Sequence, residues 1–377
     1  MSLRKPLVLA SGKREALAPG DFLSPGVFPD WETNTEAWTQ VREAFAGWAS
    51  HHRTQWTRRV QQLGNLVGDA KWYGAVAASN GYVYGIPYTS ATVLKLDPSD
   101  DTTSTFGSLG ATAGKWAGGV LAYTGNIYGA PHNSTSVLKI VPSTDTASTF
   151  GTAGGTNAYM GGVQAYNGYI YFTPYSAANV FKLDPSDDST STFGTIAGGG
   201  GKYGGACLGV DGSIYCVPYI NTNILKIDPS DDSTSTFGTI TGGTHVGGVL
   251  APNGCIYSPP YGGTTIVKID TVNDTVSEFG TFSGSAKYAG AVLAPNGRIY
   301  CMPRNEDTIL EINPQTDEYT EFGDVGTTGG KAMGSILGHN GCVYAIPLGV
   351  TTFMKVGQAI DDVQEDYVLS RHFNKSL

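Results

Sequence analysis

Two columns of residues in this 377-residue chain carry side chains able to bind or react. The first runs Lys71, Lys115, Ala158, Lys202, Thr244, Lys287 and Lys331, followed in turn by Trp72, Trp116, Tyr159, Tyr203, His245, Tyr288 and Ala332. The second stands one residue after a repeated proline: Tyr88, His132, Tyr175, Tyr219, Tyr261, Arg304 and Leu348. Aromatic planes beside cations suit sugar rings and anionic groups, through stacking and charge-assisted hydrogen bonds. Brought together, the columns would form a lysine and aromatic ring able to bind glycan. The competing expectation is structural, since repeated aromatics also wedge neighbouring units together and repeated lysines solvate a rim. Breaks at His132, His245, Arg304, Ala332 and Leu348 make the ring asymmetric, which packing alone does not require.

Groupings for catalysis are sparse. The chain has no G-x-S-x-G elbow, P-loop or H-E-x-x-H, and its six histidines, His51, His52, His132, His245, His339 and His372, form no ligand spacing. Five cysteines, Cys207, Cys216, Cys255, Cys301 and Cys342, are odd in number and lack C-x-x-C spacing, so free buried thiols are expected. Asp-Pro-Ser-Asp-Asp turns recur with Asp97, Asp100 and Asp101, with Asp184, Asp187 and Asp188, and with Asp228, Asp231 and Asp232. Such carboxylates ordinarily accept backbone hydrogen bonds within their own turn, and a calcium loop needs a fuller ligand pattern. The expectation is a non-enzymatic protein with no metal and no cofactor.

The columns belong to a repeat that must position them. Turn glycines at Gly81, Gly125, Gly168, Gly212, Gly254, Gly297 and Gly341 are spaced by 42 to 44 residues. A tyrosine follows each by three (Tyr84, Tyr128, Tyr171, Tyr215, Tyr257, Tyr300, Tyr344), and a proline by six. Six copies close in Phe-Gly. Each copy reads as four short strands: one small and apolar, a second after the Asn-Gly or Asp-Gly turn, a third that alternates, and a fourth rich in Ser and Thr. The 52 glycines and 21 tyrosines agree with an all-β chain. Seven such units at this period predict a seven-bladed β-propeller of four-stranded blades. Both chemical columns then fall on the face shared by the fourth-to-first and second-to-third connections, and the acidic turns on the other.

Copy seven has no Ser-Thr-Phe-Gly strand after Val356, while Leu63-Gly64 lies 43 residues ahead of Phe106-Gly107. Residues 57–64 are therefore expected to close the last blade against Phe353 to Val356, removing an exposed sheet edge. The rival is an outer strand from Tyr367-Val368-Leu369-Ser370.

The organisation read from the chain is an extended attachment arm at 1–30, a short helix at 31–53, the propeller at 54–356 with 54–64 closing it, and a tail at 357–377. The arm carries Pro6, Pro19, Pro25 and Pro29; the helix places Trp38, Val41, Phe45 and Trp48 on one face, which packs on the propeller or pairs copies of the chain. A net charge of −9 argues against nucleic acid, and no apolar run reaches membrane-spanning length. The apolar stretch after Arg4 and Lys5 is too short for a signal peptide, so synthesis in the cytoplasm is expected.

Arg4-Lys5-Pro6-Leu7-Val8-Leu9-Ala10-Ser11-Gly12, followed by Leu17-Ala18-Pro19-Gly20-Asp21, resembles the N-terminal segment of tail-fibre and other virion proteins of tailed bacteriophages. That resemblance implies attachment to a virion through Arg4, Lys5, Pro6, Leu7, Val8 and Leu9, other virion proteins as partners, and a distal module free to touch host surface glycan. The Asn-Gly-x-Ile-Tyr-x-x-Pro repeats resemble propeller repeats of phage and bacterial proteins, and they lack the Gly-His and Trp-Asp pairs of WD repeats. Streptogramin-lyase-like enzymes share a seven-bladed plan and a metal-assisted histidine mechanism, which leaves an enzyme as one alternative. A cytoplasmic protein-interaction platform is the other.

Overall fold

The turn glycine takes a positive φ in all seven copies, from 75° to 94°, and joins the first strand of each copy to the second as a hairpin. The computed structural model describes residues 7–10, 13–16, 56–68 and 71–357. In blade 1 the four antiparallel strands are Trp72–Ala77, Val83–Pro87, Val93–Asp97 and Thr102–Phe106. Five further blades repeat that order. Blade 7 consists of Ile336–Leu337, Val343–Ala345, Phe353–Val356 and, from the other end of the propeller sequence, Val60–Leu63. Val60 lies opposite Val356 and Leu63 opposite Phe353, the closure that the displaced Leu63-Gly64 predicts.

Burial follows position along the blade. First and second strands are buried at nearly every position, Tyr73 being an exception, the third alternates, and the fourth is mostly exposed, because only inner strands have a neighbouring blade on each face. A second glycine column sits at the axis: Gly74, Gly118, Gly161, Gly205, Gly247, Gly290 and Gly334 all have positive φ, from 69° to 132°. Each lies in the break of register at the start of the first strand, as between Trp72 and Ala75. A methyl group on Gly290 would lie 2.9 Å from the Gly334 Cα, and one on Gly334 3.1 Å from the Gly74 Cα. The glycines thus let seven backbones meet around the axis.

The repeated Tyr, Lys, Asn, Asp and Phe form the seams between blades. Tyr84 is fully buried and meets Phe106 edge to face at 6.0 Å, while its hydroxyl donates to Asp145 of blade 2 at 3.2 Å. Lys95 reaches the same carboxylate at 2.6 Å, and Asn80 donates to the Pro142 carbonyl at 3.0 Å. Asp145 has φ of 50°, a left-handed turn conformation that Asp tolerates. Tyr128, Tyr171, Tyr215 and Tyr257 repeat the phenol-to-carboxylate contact with Asp188, Asp232, Asp274 and Asp317, and Tyr344 closes the circle on Asp101. Blade 7 has no third-to-fourth turn, so at the blade 6 seam Tyr300 binds Glu311 within its own blade, and Arg58 of the closing segment pairs with Glu311 at 2.7 Å. Trp56 fills the same seam, donating Nε1–H to the Gly341 carbonyl at 2.9 Å with its ring 4.8 Å from Tyr300.

Leu7–Ala10 and Lys13–Ala16 pair as an antiparallel hairpin, Leu7 opposite Ala16, so this part of the expected extended arm turns back on itself. Arg4, Lys5, Pro6, the expected helix at 31–53, and Tyr367 to Ser370 lie outside the described residues.

Candidate axial binding site

Backbone hydrogen bonds run around the mouth of the axis and hold the post-proline residues in place. The Tyr88 N–H donates to Lys71 O of its own blade at 2.9 Å, and Tyr88 O accepts from Lys115 N–H of the next blade at 2.9 Å. His132, Tyr175, Arg304 and Leu348 are pinned on both sides in the same way. The circuit deviates between blades 4 and 5, where the His245 N–H donates to Pro218 O at 3.1 Å.

Those residues form a collar of side chains. Ring centroids lie 6.0 Å apart for Tyr88 and His132, 5.5 Å for His132 and Tyr175, 5.2 Å for Tyr175 and Tyr219, and 5.9 Å for Tyr219 and Tyr261. The Arg304 guanidinium lies over Tyr261 at 5.3 Å, a cation–π contact, and Leu348 completes the seven positions. Tyr88, Tyr175, Tyr219 and Arg304 keep partial exposure, whereas His132 (7%), Tyr261 (9%) and Leu348 (7%) are nearly covered. Beneath the collar, Tyr73 packs 5.3 Å from Tyr88, its hydroxyl donates to the Met160 sulfur at 3.4 Å, and Ala117, Val246, Ala289 and Met333 share its apolar cluster.

Electrostatically the mouth is neutral phenol with one cation. Burial pushes the Tyr73 phenol well above its ordinary value, reinforced by Tyr88 and opposed by Arg304. Burial likewise raises Tyr88 and Tyr175. These hydroxyls stay protonated and can donate. Burial lowers His132, whose Nδ1 lies 3.0 Å from the Tyr159 carbonyl, so its imidazole is neutral at neutral pH. Arg304 Nε is buried without a hydrogen-bond partner, and no described carboxylate forms an ion pair with the guanidinium.

The lysine column is elsewhere. Lys71, Lys115, Lys202, Lys287 and Lys331 are all buried. Lys71 donates to Gly68 O at 2.7 Å and Val350 O at 2.8 Å, Lys115 to Ser90 O at 2.9 Å, Lys202 to Ser176 O at 3.0 Å, Lys287 to Gly284 O at 2.8 Å and Lys331 to Glu306 O at 2.9 Å. The expected ring of lysines at the mouth is therefore corrected: each ammonium ties down connecting loops, and most reach the preceding blade. Desolvation lowers Lys115, Lys202, Lys287 and Lys331 accordingly.

The aromatic partners of those lysines are corrected likewise. Trp72, Trp116, Tyr159, Tyr203 and Tyr288 are core residues. Indole N–H groups of Trp72 and Trp116 donate to Thr92 O at 2.9 Å and Ser136 O at 2.8 Å, and Tyr159 donates to Asn179 at 2.8 Å. His245 is fully buried, with Nδ1 3.1 Å from Pro259 O and Nε2 unpartnered beside Gly263. Burial pushes its pKa down to about 4.

Other candidate groups are also accounted for. Asp97, Asp184 and Asp228 accept from Ser99, Ser186 and Ser230 within their turns, and Asp101, Asp188 and Asp232 face the seams. All five cysteines are buried and free, and burial raises each thiol that shifts, Cys255 and Cys342 to about 11. Among the described residues no three His, Cys, Asp or Glu side chains gather as a metal site, and no helix is long and apolar enough to cross a membrane. Sequence reasoning missed Tyr73 and Met160. Their column (Tyr73, Ala117, Met160, Gly204, Val246, Ala289, Met333) takes five residue types over seven copies, and that variation beside the invariant glycine was the available signal.

No protein family matches the chain, and no curated protein does. Solved structures do match in fold. A streptogramin B lyase aligns with a TM-score of 0.68 at 17% identity, over 79% of this chain and 97% of the lyase. Virginiamycin B lyase from Staphylococcus aureus aligns with a TM-score of 0.69 at 14% identity, over 80% of this chain and 100% of the enzyme. The extracellular domain of a two-component system from B. thetaiotaomicron follows at 0.60 and 12% identity, over 79% of this chain and 42% of that one. At these identities the likeness is one of fold: the chain is an all-β, seven-bladed propeller, a scaffold that hosts binding proteins and enzymes alike.

Proposed function

We propose that this propeller is a binding module of a virion structural protein, probing host surface glycan through its axial mouth while the N-terminal segment attaches it to the particle. The observation that carries the binding half is the collar of Tyr88, His132, Tyr175, Tyr219 and Tyr261, fixed by a backbone circuit, in which the rings of Tyr88, Tyr175 and Tyr219 are partly exposed. Ordered aromatic faces bounded by phenol hydroxyls match a sugar, which offers apolar C–H faces and a hydroxyl edge. Rigid aromatic anchors also lose little conformational entropy on binding. The attachment half draws on the resemblance of residues 4–21 to virion proteins.

Glycan-array binding by the full chain tests the first half, with Tyr175→Ala and Tyr219→Ala expected to weaken it about tenfold each. Deleting residues 1–30 tests the second: the truncated propeller should fold and bind sugar but no longer join particles. Continued incorporation would refute attachment through the arm.

A second reading, a lyase acting at the same mouth, draws on the fold shared with streptogramin and virginiamycin B lyases. One of those structures is described as a catalytically inactive histidine-to-alanine variant with quinupristin. In this chain His132 is the collar's histidine, and it would have to serve as base. Turnover of a macrocyclic lactone or polysaccharide, lost in His132→Ala, would establish that reading over simple binding.

A further inference from the structure

We propose that the axial mouth selects sugars bearing a carboxylate, and that Arg304 is the residue that reads it. This rests on the sugar-binding reading above and adds the charge of the ligand.

With the lysines bonded to loop carbonyls, Arg304 is the one cationic residue among the seven collar positions. Its backbone is held on both sides, by N–H donation to Lys287 O at 2.7 Å and by acceptance from Lys331 N–H at 2.9 Å. The guanidinium is stacked on Tyr261, and its buried Nε lacks an acceptor. Glu306, in the same loop, forms no ion pair with Arg304, and burial together with Glu321 holds its carboxyl above the ordinary value. A partly desolvated cation without an acid partner gains most from an arriving anion, and guanidinium matches carboxylate in a two-pronged geometry.

The surroundings fit the same ligand. Leu348, the next collar position, offers no competing acceptor, and beyond it Tyr88 and the underlying Tyr73 both sense the Arg304 charge. On the other side, past the nearly covered Tyr261, Tyr219 and Tyr175 keep partly exposed rings with centroids 5.2 Å apart, an aromatic wall within reach of Arg304. A pyranose stacked on that wall with an acid group at one edge can place the carboxylate on Arg304 and its hydroxyls toward the phenols. An acidic peptide would use the guanidinium but leave the aromatic arc without a matching ring.

The test is titration calorimetry of the full chain with oligosaccharides ending in glucuronate or in sialate, each beside its neutral counterpart. At least one acid should bind about tenfold or more tighter than its neutral partner, the pair that does so identifying the source of the carboxylate. Arg304→Gln should bring the acid down to the neutral sugar's affinity, and Arg304→Lys should keep part of the preference. Melting curves of both variants check the fold. Equal binding of acid and neutral sugars by the native chain, or an unchanged preference in Arg304→Gln, overturns this inference and leaves the sugar reading standing. Absence of all sugar binding, or binding of a glutamate-terminated peptide in its place, overturns both.

Discussion

Arg58 and Glu311 pair at 2.7 Å in a seam where the charges of the repeat are reversed. In the other seams a lysine on the third strand of one blade meets an aspartate in a turn of the next, as Lys355 meets Asp101 at 2.7 Å. Blade 7 has its chain break where that turn would be, and the cation comes instead from the segment that precedes Val60. Glu311 is the complementary exchange, standing in the third strand where Lys95 stands in blade 1 and Lys355 in blade 7. Its side chain is 5% exposed while Arg58 is 52% exposed, so removing Arg58 leaves an acid that is largely desolvated.

The first prediction follows. Arg58→Ala should destabilise the propeller by about 1–3 kcal/mol, less than a fully buried pair because water still reaches the guanidinium. Exchanging the charges in Arg58→Glu with Glu311→Lys should recover much of the loss. Denaturant unfolding of the two single variants and the double reads this as a coupling energy. Strict additivity would mean that the pair does not act as the seventh latch.

A second prediction concerns Trp56, whose indole is buried against Tyr300 and whose N–H is bonded to Gly341 O. Loss of a buried aromatic ring costs about 3–5 kcal/mol. Trp56→Ala should therefore lower stability by about that amount, while removal of residues 1–55 should leave melting nearly unchanged. Removing residues 1–64 deletes the closing strand as well and exposes the edge of Phe353–Val356, so association should appear in sedimentation or light scattering. A monodisperse, equally stable product would show that closure by the N-terminal strand contributes little.

The third prediction separates the two aromatic columns that the repeat generates. Trp72→Ala and Trp116→Ala remove core indoles, each bonded to a carbonyl, and should destabilise by about 3–5 kcal/mol. Tyr175→Ala and Tyr219→Ala alter partly exposed rings of the collar and should cost about 1–2 kcal/mol while weakening sugar binding. Melting and glycan titration on the four variants should thus give opposite rankings. A tryptophan variant that keeps its stability and loses the ligand would restore that column to the binding surface.

Blade number, strand order and the closing strand were legible because they depend on period and turn chemistry, both of which survive variation in the side chains between them. The collar was legible for the same reason, each member following a proline at a fixed step. The direction of the lysine column was not. A lysine after a glycine-rich loop reads equally as a solvated rim or as an ammonium that satisfies loop carbonyls, and only the approach of Ser90, Ser176 and Glu306 from the preceding blade decides it. Trp72 and its equivalents misled in a related way. Their residue type suits a sugar, but the register break at Gly74 turns them into the blade. Tyr73 points to the axis in their stead.

The last prediction is a pH dependence. Fully buried His245 has its pKa depressed to about 4, below the ordinary 6.5, because desolvation opposes the charged ring. The unfolded chain therefore binds a proton more readily than the folded one between those values, and stability falls as pH drops from about 6.5 toward 4. The loss from this one residue is about 3 kcal/mol, with no further contribution below the folded value. His132, lowered in the same direction by burial, adds to the slope as pH falls below about 6.5. Because Nδ1 of His245 meets Pro259 O and Nε2 meets no partner, a side-chain amide can keep the first contact without titrating. His245→Gln should accordingly show a flatter stability profile between pH 6.5 and 4 than the native chain, measured by urea unfolding at each pH. Parallel profiles for the two proteins would mean that the imidazole is charged inside the fold, and that burial alone does not govern this residue.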